Sequence, residues 1–320
     1  MRLVVGNALG KIFFPRAEVT RFPLRKIPAY VYSEGMTNLG NLEKLILTLS
    51  CPDQPGIVYA VTRVISENSG NIIQSQQFGD PETGLFFMRV ELETPARKQI
   101  EDGIAAFAAD FDATFQLDEM GRPLRTIIMV SKEGHCLTDL LYRQRYQELG
   151  IEVVAVVGNH PDLAPVAQFY GKPFLCIPVT PETKAEAEAQ LLALVESEKV
   201  ELVILARYMQ ILSDKLCETL VGNVINIHHS FLPSFKGARP YAQAHTRGVK
   251  LIGATAHYVT ADLDEGPIIE QDVTRVTHRE STKDLVAQGQ DVERRVLAQA
   301  VKWHTQHRVL LNGHRTVVFS

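Results

Sequence analysis

The chain has 320 residues, 45% apolar and 22% charged, with a formal net charge of −4. That length leaves room for two domains with full hydrophobic cores. The charge balance holds no basic tract and so excludes an obvious nucleic-acid footprint, and no apolar run approaches the ~18 residues that span a bilayer. The four cysteines, Cys51, Cys136, Cys176 and Cys217, form no Cys-x-x-Cys pair. They support neither a disulfide framework nor a metal site, and read as reduced thiols of a cytoplasmic protein, mostly in its core.

Residues 1–42 read as a leader or a disordered extension. The first 35 carry six Arg or Lys against two acids. "LVVGNALGKIFF" is interrupted by Gly, Asn and Lys, where a secretory signal needs a continuous apolar stretch. Met36 precedes the first orderly segment and is an alternative initiator.

Order begins at Lys44. "KLILTLS" alternates, placing Leu45, Leu47 and Leu49 on one face of a strand. The turn "CPDQPGI" leads into a helix with Ile57, Val61, Val64 and Ile65 on one side, stopped by Gly70. "NIIQSQQF" and "LFFMRVEL" read as two strands joined by "GDPETG". A second helix aligns Ile100, Ile104 and Phe107, and "FDATFQL" closes the unit. The order is βαββαβ over residues 43–118, a ferredoxin-like α+β sandwich. Its strand–"CPDQPGI"–helix entry and its element order resemble the ACT domain, a small-molecule-sensing module. A generic sandwich that only pairs subunits remains the alternative. The resemblance implies an amino-acid effector, glycine or methionine, at the first turn. Asp53, Gln54 and Gly56 would meet it, with Asn71 approaching from the second strand. It also implies a homo-oligomer, because a sheet with both helices on one side leaves a face and two edges to be covered.

Residues 119–123 read as a Gly/Pro-containing linker to a second domain, 124–320. There "TIIMVS", "VVAVVG", "FLCIPV", "LVILA" and "VINI" are near-continuous apolar runs, the mark of strands buried on both faces of a parallel sheet. Helical stretches at 135–148, 181–198 and 212–220 separate them. Thr180 serves as expected N-cap and Pro181 as first residue of the middle helix. This is a doubly wound, Rossmann-like α/β domain without the Gly-x-Gly-x-x-Gly fingerprint of a dinucleotide site. Ligands in such sheets sit beyond the carboxyl ends of the strands, and "INIHHS" at 225–230 is such an end.

Alternation places Asn226 and His228 on one side of that strand and His229 on the other. An amide and an imidazole together suit an oxygen that gains negative charge. Asp264, before the turn Glu265-Gly266-Pro267, supplies a carboxylate able to orient an imidazole and activate water. On spacing alone, a structural hydrogen bond for Asn226 and His228 and a turn-forming role for Asp264 remain open. His257, within "AHYVT", is as compatible with a structural role as with support of the site.

"NIHHSFLP" followed by "HYVTADLDEGPII" resembles the signature of the formyl-transferase superfamily that uses 10-formyltetrahydrofolate. Combined with the ACT-like unit in front, it is similar to the deformylase family of that superfamily; "VSKEGHCL" and "ILARYMQIL" fit as well. The resemblance implies hydrolysis of 10-formyltetrahydrofolate to tetrahydrofolate and formate, with Asn226, His228 and Asp264 catalytic. It implies formate for purine biosynthesis and a balance of one-carbon pools. The folate is the substrate and water the acceptor, with no cofactor and no metal. By position, it assigns the pterin pocket to Tyr208, Met209 and Leu212 and to Val259, Thr260, Ala261, Asp262 and Leu263. Ordinary core is the lesser alternative for Met209 and Leu212.

The main rival is transfer to an amine. Glycinamide ribonucleotide formyltransferases carry a Gly-Ser-Asn-rich phosphate loop after the first strand. Here that loop reads Ser131-Lys132-Glu133-Gly134-His135-Cys136, with a carboxylate where phosphate needs bare amides. A tRNA formyltransferase needs a basic RNA-binding domain, and only "RVLLNGHRTVVFS" follows the last helix, near 280–307. A non-enzymatic folate- or amino-acid-binding role is disfavoured by the complete catalytic set.

Overall fold

A computed structural model describes residues 42–233 and 240–320. The leader expected at 1–42, with Met36, lies outside the described residues except for Leu42. Strand β1 (Glu43–Pro52), helix α1 (Ile57–Glu67), strands β2 (Asn71–Asp80) and β3 (Leu85–Thr94), helix α2 (Arg97–Phe111) and strand β4 (Thr114–Glu119) realise the βαββαβ order. The sheet runs β2-β3-β1-β4, antiparallel throughout. Leu45, Leu47 and Leu49 meet Ile57, Val61, Ile65, Ile100 and Ile104 in one core, as the alternation requires.

The other face of this sheet is not left open. Arg89 and Glu91 read as polar alternates of β3, yet they are 1% and 8% exposed. Arg89 donates from Nε and a terminal nitrogen to the carbonyl of Gln306, at 3.1 and 2.9 Å, just past the last helix. A cation is favoured there, where carbonyls lack intrahelical donors. Asp80 accepts from Asn312 at 2.6 Å and Arg315 at 3.2 Å. The chain's own C-terminal segment therefore covers much of the face expected to pair with another subunit.

The second sheet is assembled from β5 (Leu124–Val130), β6 (Ile151–Gly158), β7 (Phe174–Cys176), β8 (Leu202–Leu205), β9 (Val224–His228), β10 (Leu251–Tyr258) and β11 (Ile268–Arg275), in the order β11-β10-β9-β8-β5-β6-β7. Strands β5 to β9 are parallel, and β10 and β11 add antiparallel at one edge. Between them lie α3 (His135–Arg145), α4 (Ala164–Phe169), α5 (Lys184–Ser197), α6 (Asp214–Thr219) and α7 (Pro240–Arg247). Helix α8 (Thr282–Thr305) and a hairpin of β12 (Val309–Asn312) and β13 (Arg315–Val318) complete the chain. Two cores flank the sheet, one of them closed by Val292, Val296, Leu297 and Val301 of α8.

Two local expectations shift. Helix α5 begins at Lys184, not Pro181, because the Thr183 hydroxyl accepts from the Thr180 amide at 2.9 Å and completes a turn ahead of the helix. Cys176 is exposed, because β7 is a three-residue edge strand; the other three cysteines are buried. No helix among the described residues is long and apolar enough to cross a membrane.

Candidate active site

Strands β8 and β9 end side by side, with Leu205 paired to Asn226, so the turn after one faces the end of the other. Antiparallel β10 sets His257 opposite Asn226. Beyond β10 the chain returns through Asp264. That residue is left-handed at φ 57, a conformation Asp tolerates better than most side chains. Gly266 makes the return possible. A Cβ there would stand 1.8 Å from the carbonyl oxygen of Tyr258, a backbone atom with no freedom to yield.

The turn brings Asp264 Oδ1 to 3.2 Å from Nδ1 of His228 and 3.9 Å from Nε2 of His257. Burial pushes the Asp264 carboxyl up. The hydrogen bond and charge of His228, with His257 and His229 beyond, outweigh that and hold it below its ordinary value. The other ring nitrogen of His228, Nε2, is buried with no hydrogen-bond partner among the described residues. An unsatisfied buried nitrogen costs roughly 1–3 kcal/mol, and a bound water, an ion or a reacting group can each offset that cost.

Asn226 is oriented from behind. Nδ1 of His257 lies 2.8 Å from the carbonyl of Tyr258, which only an N–H can satisfy. Nε2 is then the acceptor, and it takes one amide hydrogen of Asn226 at 3.2 Å. Burial pushes the His257 imidazole down, in keeping with a neutral ring. The second amide hydrogen of Asn226 and the carboxamide oxygen remain for a ligand.

His229 departs from expectation. Strand β9 stops at His228, so alternation ends there. The two imidazoles stack with centroids 5.1 Å apart and planes 22° from parallel, and His229 lines the same cavity as His228. The loop beyond is tied to the sheet by Thr255, whose hydroxyl donates to Ser230 at 3.0 Å and accepts from the Leu232 amide at 3.0 Å.

Asn226, His228 and Asp264 line one cavity of about 290 Å³, together with Tyr208, Met209, Leu212, Val259, Thr260, Ala261, Asp262 and Leu263. Its size is of the order typical of small-molecule pockets. Met209 is 56% exposed, which decides against reading it as core. Leu212 is part-buried against a core cluster and serves both purposes. Ser131, in the loop after β5, accepts from the Met209 amide at 2.9 Å and fixes the pocket turn.

Sequence reasoning missed a charged cluster that meets the cavity at His229. Arg207, left-handed at φ 66, hydrogen-bonds Nδ1 of His229, and its Nε lies 3.4 Å from Glu293. Glu293 is 1% exposed and also binds His135 at 2.8 Å and the Tyr241 hydroxyl at 2.5 Å. Gly289 lets the tyrosine in, since a Cβ there would be 2.1 Å from its ring. A signal was present: Glu293 falls four residues after Gly289 and four before Leu297, on the buried stripe of α8, where a charge is unusual. Histidine 135, Cys136 and Glu293 could crowd an ion. The carboxylate is instead engaged by Tyr241 and by the adjacent Arg207 guanidinium, a poor environment for a second cation.

The four residues expected to meet an effector do not come together within the chain. Asp53 and Gln54 follow β1 where β3 begins, and Gly56, at φ 100, caps α1. Asn71 pairs with Glu93 at the far end of β3, eight residues from Leu85, or roughly 26 Å at ~3.3 Å per residue.

Comparison with known proteins agrees with this architecture. Residues 124–301 match the formyl transferase family and residues 45–104 the ACT domain. A formyltetrahydrofolate deformylase of Corynebacterium sp. (strain P-1) is 50% identical over 277 residues, covering 85% of this chain and 97% of that protein. One of Escherichia coli K12 is 40% identical over 287 residues, 87% of this chain and 99% of that protein. The crystal structure of a formyltetrahydrofolate deformylase from Burkholderia mallei superposes with a TM-score of 0.84 at 47% identity, covering 87% of this chain and all of that one. A glycinamide ribonucleotide transformylase from Symbiobacterium toebii reaches 0.59 at 28% identity over 64% of this chain and 98% of its own. Fold and site thus define an enzyme with a formyl-transferase catalytic domain behind an ACT domain. Within that class, the chain belongs to the formyltetrahydrofolate deformylase family.

Proposed function

We propose that the chain hydrolyses 10-formyltetrahydrofolate to tetrahydrofolate and formate, as the names of its relatives describe, through Asn226, His228 and Asp264. The observation that carries the reading is His228 on the wall of the cavity of about 290 Å³ beside Asn226, with Nδ1 on Asp264 and Nε2 without a hydrogen-bond partner among the described residues. Water attacks the formyl carbon, and the carbonyl oxygen takes negative charge. The Asn226 amide donates to that oxygen, as does His228 from Nε2 when protonated. One such donor is worth ~3 kcal/mol in the transition state. Asp264 keeps one oxygen on His228 and offers the other to the water proton. The bond to N10 breaks as that proton is delivered to nitrogen, leaving formic acid, which gives up its remaining proton to solvent as formate. The formyl carbon is electrophilic without a metal or cofactor.

Water as acceptor is supported by the loop after β5. His135 is committed to Glu293, and Glu133 accepts from Gln290 at 3.1 Å at the surface. The test is turnover by purified protein with no amine present: stoichiometric formate and tetrahydrofolate support the reading, and turnover only with an amine acceptor refutes it.

We further propose cytoplasmic operation, a role in formate supply for purine synthesis and one-carbon balance, a 43–118 regulatory and 124–320 catalytic division, and a homo-oligomer. Glycine or methionine would bind at the β1–α1 turn, where Asp53 can take an ammonium group. Asn71 then enters only from another subunit.

A further inference from the structure

The left-handed Arg207 has an unusual position. It lines the cavity beside Tyr208 and Met209, and its guanidinium reaches His229 and Glu293. A long side chain at positive φ persists only where its surroundings over-determine it. Glycine would adopt the same backbone freely, so something the side chain does is the reason for arginine. The side chain is 13% exposed. One terminal nitrogen donates to Nδ1 of His229, which fixes that ring as a neutral acceptor there. The ring in turn lies flat against His228. On the far side the Nε of Arg207 pairs in charge with Glu293 at 3.4 Å, and Glu293 is itself held by His135 from α3 and Tyr241 from α7.

We propose that Arg207 is a positioning residue for hydrolysis: ion-paired with Glu293, it holds the His229 ring as a backstop that fixes the orientation of the stacked His228 ring, and ties that backstop to the pocket wall. The role rests on the catalytic reading of His228 given above. It adds that the second His of "NIHHS" and the Arg of "LARYM" act as a pair. Charge on the His229 ring would oppose this arrangement. Burial first, then Arg207 and His228, push its imidazole down to about 4, so the ring stays neutral where the enzyme works.

The experiment compares Arg207→Gly, Arg207→Lys and the double variant Arg207→Gly/Glu293→Gln, each as the full chain, with His228→Ala as reference. Glycine preserves the backbone conformation, and the double variant removes the carboxylate that Arg207→Gly strands. The expected result is a fall in kcat of about tenfold or more in both glycine variants, with KM for 10-formyltetrahydrofolate within about threefold of the parent. Arg207→Lys restores most of kcat, and so does guanidinium ion added to Arg207→Gly. Undiminished kcat in a folded glycine variant overturns the proposal. So does a loss confined to KM, or one that neither lysine nor guanidinium restores. If Arg207→Gly alone fails to fold, the double variant decides by the same criteria. A functional His228→Ala enzyme would instead overturn the catalytic reading beneath it.

Discussion

Nε2 of His257 accepts a hydrogen from the Asn226 amide at 3.2 Å, while its Nδ1 is pinned to the Tyr258 carbonyl at 2.8 Å. The carboxamide proposed to meet the formyl oxygen is thereby aimed by a ring with one permitted tautomer. Replacing His257 by Phe keeps the bulk and frees the amide to rotate. The expected outcome is a kcat lower by about one to two orders of magnitude, with folate affinity little changed, because one misaimed donor costs less than one removed. Steady-state kinetics with equilibrium folate binding checks this, and an unaffected kcat would return His257 to a structural role.

Gly266→Ala tests the turn that carries Asp264. The added methyl meets the Tyr258 carbonyl oxygen at 1.8 Å, so the backbone must move, and Asp264 is only two residues away. Loss of at least about 2 kcal/mol of stability is expected from backbone strain of this kind. Activity should fall further than the folded fraction does. Thermal unfolding and turnover on the same sample separate the two.

The Glu293 carboxyl has a pH signature. Burial pushes it up, but the His135 hydrogen bond, the Arg207 charge and the Tyr241 hydroxyl pull it below its ordinary value. Folding therefore favours the ionised form. That stabilisation is complete above the unfolded-state value of ~4.3 and is lost as pH falls through the lower folded-state value. Glu293→Gln should be less stable than the parent at pH 7, with a gap that narrows as the solution is acidified below about pH 4. A gap that widens on acidification contradicts the assigned charge state.

Adding glycinamide ribonucleotide should neither speed release of tetrahydrofolate nor yield a formylated product. Mass spectrometry of the mixture checks it. Formylglycinamide ribonucleotide at a rate comparable with formate would favour the transferase.

The parts of this site legible in sequence were those with a local period or a local motif. Alternation marked β1 and β3, apolar runs marked β5 to β9, and "NIHHSFLP" with "DLDEGP" marked the chemistry. What escaped depended on distance. Nothing near Arg89 says that its partner is a carbonyl more than two hundred residues away, so the covered sheet face was read as open. His229 was placed on the wrong side because the rule of alternation stops with the strand. Asn71 was grouped with Asp53 through element order, and strand direction separates them. Glu293 was hidden in a helix whose surface is otherwise rich in charge.

Asp264 is the group on which proposed water activation depends, and Asp264→Asn removes its charge with the least change of shape. Formate release from 10-formyltetrahydrofolate is measured without any amine, beside binding of a non-hydrolysable folate analogue. The expected result is hydrolysis reduced by at least ~10²-fold, the scale of a lost acid–base group, with analogue binding within a few-fold of the parent. Near-parental hydrolysis in a variant that binds normally would contradict the assignment of the site.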